Sequence, residues 1–472
     1  MKPLLGATLL ATALGGCSPF VLHDFGSVGD LGRVRVTSDG EAQWLEIGER
    51  ELGPYDHVAI DSLVASPDGR SMAWVADSAE DGVRVILDGR QGPSFEGIGQ
   101  LAWGARSDRL VYAAMRNGRW VVATPEGLGR DLLSLGGGRL SACPRGAAYT
   151  GRDERGAFVV VADATLGPFD AAGGLHVDAT CDHFAFAAQQ GEESYVFVDG
   201  ERFGPYLDVA EVALAPTLGR FAATVWTADG WRVLADGSLS KPFARVSSLA
   251  FSANAARLVY AAEADGLWWI VDEAPKPTGP FAGLVASSVV VSDAGDAYSF
   301  VAEAPGGYAV YRDGVRQPGG FRDVSHLAFA PRTSLLGYVG RDDSASTIFI
   351  GGVARGSYDA VGDLALGPGG AHYLAIVISS GISSIVVDDS VLPYDVVAPG
   401  SLTFDETGEH WAAIAGDRAE RSIFFVVDGA RGRAVAATEL ADRARSGALE
   451  LSFDDRLRAW LRAELRAHTQ TR

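Results

Sequence analysis

The chain has 472 residues, with 60 Asp and Glu against 40 Lys and Arg, a net charge of −20. That length exceeds a single ordinary hydrophobic core and implies several cores or a repeat array. The charge excludes nucleic acid and anionic lipid surfaces as partners, since both repel an acidic body. Glycine supplies 59 residues, well above the usual ~7%, which points to frequent tight turns.

In chain order, Lys2 gives a short positive end and Leu4 to Leu14 is apolar. This run is too short for the ~20 residues that span a bilayer, so it reads as a processing segment. It ends in Leu14-Gly15-Gly16-Cys17 and resembles a bacterial lipoprotein signal with its lipobox. The resemblance implies cleavage before Cys17 and acylation of that thiol. Ser18, where an Asp would retain the protein in the inner membrane, implies an outer-membrane address. Several acyl chains on one cysteine make a stable anchor, since each buried methylene contributes roughly 0.8 kcal/mol. Residues 17–32 are then expected to be a tether.

From residue 33 onward the chain repeats, and residues 246–281 are the clearest copy. They hold the strand-like runs LAFS, RLVYAA and LWWIVD, then Gly279-Pro280-Phe281. The third run of each unit ends in a turn dipeptide: Asp88-Gly89, Asp199-Gly200, Asp236-Gly237, Asp313-Gly314 and Asp428-Gly429, with degraded forms between them. Successive turns are 36 to 41 residues apart. Asp-Gly supplies the positive φ of a two-residue hairpin. About seven residues later comes Pro with an aromatic, as in Pro54-Tyr55, Pro168-Phe169, Pro205-Tyr206 and Pro280-Phe281. Proline suits an outer strand whose missing N–H faces solvent, and the aromatic is free to pack under the next unit.

An all-β unit of three long strands and one short one, repeated at this period, predicts a β-propeller of four-stranded blades. One such sheet cannot bury both faces alone; neighbours on either side do so. Leu63 to Gly69, Leu249-Ala250-Phe251-Ser252 with Arg257 to Tyr260, and Leu327 to Pro331 resemble the WD40-like repeats of bacterial TolB-type propellers. The resemblance covers residues 33–435, without the Trp-Asp dipeptide. Ten complete units are expected plus one split unit, in one large ring or two smaller rings. Leu449 to Phe453 matches the start of a unit and is expected to complete the first blade, so the array runs over 33–453. Residues 454–472 then form a short C-terminal helix and tail. Leu457, Trp460, Leu461 and Leu465 fall on one face among Arg456, Arg458, Arg462 and Arg466, and the helix is expected to dock on the propeller.

The innermost strand of each unit is expected to begin with a polar residue: Ser62, Gln100, Arg139, His176, Glu211, Ser248, Ser288, His326, Asp363 and Ser401. In a propeller this column rings one mouth of the channel. Arg139, His176, Glu211, His326 and Asp363 are its candidate binding residues; the competing reading is that the column is simply wet. Cys143 and Cys181 end the first strands of adjacent units, and export would permit a disulfide between them. No HxH, HExxH or CxxC pattern supports a metal site. No GxSxG nucleophile elbow is present, and Gly136 to Gly138 lacks the Lys-Ser/Thr of a phosphate loop. No cofactor is implied. The sequence therefore reads as a lipid-anchored, non-enzymatic propeller that binds or scaffolds an envelope protein or glycan, with the membrane touched through the anchor only. The alternative is a sialidase- or lyase-like enzyme in which Glu211, Asp363 and Arg139 converge in the channel.

Overall fold

The computed structural model describes residues 20–27, 31–78, 82–104, 109–136, 140–273, 276–285, 287–417 and 422–435. They form eleven antiparallel sheets. In chain order these are sheets 1 to 11, covering 20–55, 57–95, 97–128, 134–169, 171–206, 208–239, 245–281, 290–316, 323–358, 360–394 and 396–435. Each is a four-stranded meander whose strands lie in sequence order; in sheets 4 and 11 the first strand is split into two pieces.

Local chemistry explains the meanders. Asp88, Asp199, Asp236, Asp313 and Asp428 have φ of 46–50°, and the glycines after them 77–88°. Two successive left-handed residues make the tight turn whose twist matches paired strands. The second and third strands are apolar on both faces, as in Phe221–Thr227, because each sheet is covered on both sides.

Hydrophobic cores lie between the sheets. Val34, Leu45 and Ile47 of sheet 1 pack with Trp74 and Ile86 of sheet 2. Leu374 and Ile385 of sheet 10 pack with Trp411 and Phe424 of sheet 11. Every consecutive pair between them shares such a core. The aromatic that closes one sheet packs on the second strand of the next. Tyr55 meets Trp74 at 6.4 Å, Phe243 meets Tyr260 at 6.3 Å, and Phe281 meets Phe300 at 5.1 Å, all edge-on. This stacking of face on face makes the chain a β-propeller of four-stranded blades. Among the described residues the shared cores run from sheet 1 to sheet 11.

The first strands of sheets 5 to 10 lie beside one another, so they form the inner wall and the fourth strands the outer rim. One expectation is corrected. Sheet 1 takes its first strand from Phe20–Ser27, which pairs antiparallel with Arg33–Ser38. That segment was expected to be tether, and its place had been given to Leu449–Phe453. The mixture of Val, Leu and Phe with His, Asp and Gly in FVLHDFGS hides its strand character. Cys17, Leu449–Phe453 and the C-terminal helix lie outside the described residues.

Candidate functional site

Most of the polar column lies within the first strands, not at their start, whereas Ser288 precedes its strand and Ser401 lies between the two pieces of its own. The other described members sit at or beside a bulge where the pairing with the second strand slips. The slips fall between Ala59 and Val64, Gly173 and His176, Val209 and Glu211, Ser325 and Ala328, and Val361 and Asp363. Ser248 and His326 have φ of 61° and 55° there. A bulge bends a strand and leaves backbone groups without ladder partners. The column side chains supply those partners.

They do so in two ways. Ser62, Ser288 and Ser401 plug the bulge of their own sheet: their hydroxyls accept the amides of Val75, Val301 and Ile414 at 2.6, 3.1 and 3.1 Å. Gln100, Glu211 and Ser248 reach the next sheet instead. Gln100 Oε1 accepts the Leu140 amide at 3.0 Å, and Ser248 Oγ accepts the Ser287 amide at 2.9 Å. The Glu211 carboxyl faces the Leu249 amide, which favours its ionised form. The column is thus a ring of backbone ties, a role that residue type alone does not reveal.

The candidate binding residues separate on this basis. Burial pushes the Glu211 carboxyl above its usual range, against the opposing pull of the Leu249 amide. Burial also lowers the His176 imidazole. His326 and Asp363 come nearest to one another, with Nε2 4.0 Å from Oδ1. His326 Nδ1 lies 2.9 Å from Ser325 Oγ, and buried Asp363 accepts its neighbour Leu364's amide at 2.8 Å. Glu211 and Asp363 stand on sheets 6 and 10, each facing local backbone. Arg139 lies outside the described residues. Among the described residues no group of three or more His, Cys, Asp or Glu is arranged to hold a metal.

A second recurring device escaped the sequence reading. The aspartate of the turn between strands three and four also caps the second strand of its own sheet. Asp88, Asp199, Asp236, Asp313, Asp388 and Asp428 accept the amides of Met72, Phe184, Phe221, Tyr298, Tyr373 and Trp411 at 2.8–3.1 Å. The other oxygen takes a basic side chain where one precedes that amide: His183, His372 and His410 through Nδ1, and Arg220 through Nε, all at 2.8 Å. The signal was a His or Arg sixteen to eighteen residues before each such Asp.

His326 also lines a pocket. It has a volume of about 410 Å³ and lies between the first strands and following loops of sheets 9, 10 and 11. Phe329, Leu364, Leu366, Leu402 and Phe404 wall it, and Asp405 and Glu406 stand at its edge. Gly367 lets the wall close up, since a Cβ there would lie 3.3 Å from the Phe404 ring. Burial works to raise the Asp405 carboxyl, but Thr407 Oγ1 and the Gly408 and His410 amides outweigh it and hold the group below its ordinary value. The edge is therefore anionic at neutral pH. Arg332 straddles these loops, its guanidinium donating to the Glu406 carbonyl at 2.8 Å. A second cavity of about 480 Å³ between sheets 5 and 6 is edged by Arg220, Asp199 and Asp236. Its arginine is already held by Asp236, Glu273 and the Ala255 carbonyl.

Cys143 and Cys181 are joined in a disulfide with Cα atoms 5.5 Å apart, clamping the inner edges of sheets 4 and 5. Among the described residues no helix is long and apolar enough to cross a membrane.

No family model and no curated protein sequence matches this chain. Solved structures that show a likeness include the following three. TolB from Acinetobacter baumannii is 12% identical, with 56% of this chain and 78% of that one covered at a TM-score of 0.25. A eukaryotic initiation factor is 11% identical, with 80% and 88% covered at 0.33. The Myceliophteria thermophila Cps50 (Swd1) beta-propeller domain is 13% identical, with 62% and 96% covered at 0.27. The propeller assignment rests on this chain's own strand order and shared cores.

Proposed function

We propose that the protein is a lipid-anchored envelope propeller that binds a protein partner and performs no catalysis. What carries the reading is the contrast between the column and the pocket. Ser62, Gln100, Ser248, Ser288, Asp363 and Ser401 of the column are spent on backbone amides. The pocket of sheets 9 to 11 offers apolar walls beside a fixed anionic edge, the combination that orients a ligand without chemistry. Its ligand is a segment presenting an apolar side chain next to a basic one. The signal-like N-terminus and Cys17 supply the anchor and the outer-membrane address.

The test has two arms. Cys17→Ala should move the protein from the membrane to the soluble fraction; unchanged fractionation removes the anchor. Ala365→Trp fills the pocket from its wall. It should abolish crosslinking to the envelope partner through a photoreactive residue at Phe329, with the melting temperature retained. Unchanged crosslinking by a folded variant rejects the pocket.

A further inference from the structure

Near the turn that joins the second and third strands, the pairing register lines up one residue from each strand of a sheet. In sheet 7 this row runs Arg245, Glu263, Trp268 and Phe281. The Glu263 carboxylate holds Arg245 Nε at 2.5 Å, and the guanidinium lies over the Trp268 ring, 5.2 Å from its centre. A carboxylate and an indole thus seat an arginine of the chain itself. Sheets 2 and 9 also set opposite charges at the first two places of the row, His57 with Asp77 and Asp323 with Arg341.

In sheet 6 the matching row is Asp208, Trp226, Trp231 and Phe243. It carries a carboxylate and two indoles, and no cation. The Trp226 and Trp231 rings stack with centres 5.4 Å apart and planes at 25°. Both lie on the face turned to sheet 7, where Ala222 and Val233 pack against Leu258 and Tyr260. At this end of the face the cover runs out, and Trp226 is 45% exposed. Asp208 is exposed too. Its Oδ1 accepts the adjacent Val209 amide at 2.8 Å, and among the described residues it forms no ion pair.

The nearby cations are engaged elsewhere. Arg232 pairs with Val225 on the opposite face and bonds Asp229 and the Ser240 carbonyl. Lys241 lies over Phe243 at 5.5 Å. From sheet 7, exposed Leu267 stands at the same end, with Asp265 in the turn before it.

We propose that this row of sheet 6 is a second binding site, and that its ligand is an arginine side chain of a protein partner. The guanidinium stacks on Trp226 and Trp231 and pairs with Asp208, as Arg245 does with Trp268 and Glu263 one sheet on. Its methylenes lie along Leu267. A guanidinium suits the seat better than an ammonium, because its flat, weakly hydrated face stacks on an indole while its edge donates to a carboxylate. The site is separate from the pocket of sheets 9 to 11 and does not depend on it.

The test titrates N-acetyl-arginine amide into the full chain labelled with fluorotryptophan and reads fluorine NMR. The Trp226 and Trp231 resonances, assigned through Trp226→Phe and Trp231→Phe, should shift saturably. N-acetyl-norleucine amide should leave them unmoved. Asp208→Asn keeps an acceptor for the Val209 amide. It should weaken arginine binding about threefold and flatten its salt dependence, since the charged partner is gone. Asp208→Arg should abolish the shift by seating its own cation over Trp226. Melting temperatures of both variants should match the wild type. No saturable shift, an equal response to the norleucine probe, or full affinity in Asp208→Asn each overturns the proposal. Tighter binding of phosphocholine than of the arginine probe would assign the seat to a choline headgroup and also overturn it.

Discussion

His183 Nδ1 lies 2.8 Å from Asp199 Oδ2, while Asp199 Oδ1 accepts the Phe184 amide at 2.8 Å. One carboxylate thus closes a turn, caps a strand and holds a titratable cation. The arrangement recurs with His372 and Asp388, and with His410 and Asp428.

The hydrogen bond that the His183 imidazole donates to Asp199 raises it above its ordinary value, outweighing the opposing effect of burial. The folded state therefore holds the proton more tightly than the unfolded chain, whose histidine titrates near ~6.5. This contribution is full below that unfolded value and is lost as pH rises through the higher folded one. Melting temperature should fall across that window, and His183→Gln should flatten the fall. An identical pH profile in the variant would show that the pair is energetically silent.

Asp236 has φ of 46° and binds both the Phe221 amide, at 3.0 Å, and Arg220 Nε, at 2.8 Å. Asp236→Ala forces a Cβ-bearing residue without local hydrogen bonds into the left-handed region, at about 1 kcal/mol. It also deletes the cap, at about another 1 kcal/mol. Asp236→Asn keeps the tolerance for that φ and a carbonyl for the amide. Urea unfolding should rank wild type above Asn and Asn above Ala, with Ala about 2 kcal/mol down. Equal losses in the two variants would assign the effect to charge alone.

Glu211 is a carboxyl raised by burial, so its ionised form weakens the fold at neutral pH. Glu211→Gln keeps an acceptor for the Leu249 amide and removes the charge. The variant should match or exceed wild type in melting temperature at pH 8. That advantage should vanish toward pH 4, near the ordinary carboxyl value of ~4.3, where the folded wild type is protonated. A Gln variant weaker at pH 8 than at pH 4, relative to wild type, would contradict this. The same variant tests the enzyme alternative, because an essential acid or base at this position does not tolerate the amide.

The Cys143–Cys181 bond closes a sequence separation of 38 residues. Loops of this order contribute about 2–4 kcal/mol when closed. Cys143→Ser with Cys181→Ser, or reductant on the wild type, should lower the unfolding free energy from urea titration by that amount. Reduction should also add two hydrogens to the intact mass. A wild type that gains none carries free thiols.

The sequence determined the blade and its repetition. Asp-Gly turns, apolar runs of four to six residues and Pro-aromatic closures are local, and each repeats often enough to survive degraded copies. Phe20–Ser27 escaped because a strand mixing His, Asp and Gly is defined by its pairing with Arg33–Ser38, not by its own composition. The tertiary structure alone decided what the polar column does. Whether Glu211 meets a substrate or the Leu249 amide depends on how a bulge turns its side chain and on which sheet lies beside it. It alone also gathered Phe329, Leu364, Leu402 and Asp405 into one pocket, since three consecutive sheets must stack before their loops share a mouth.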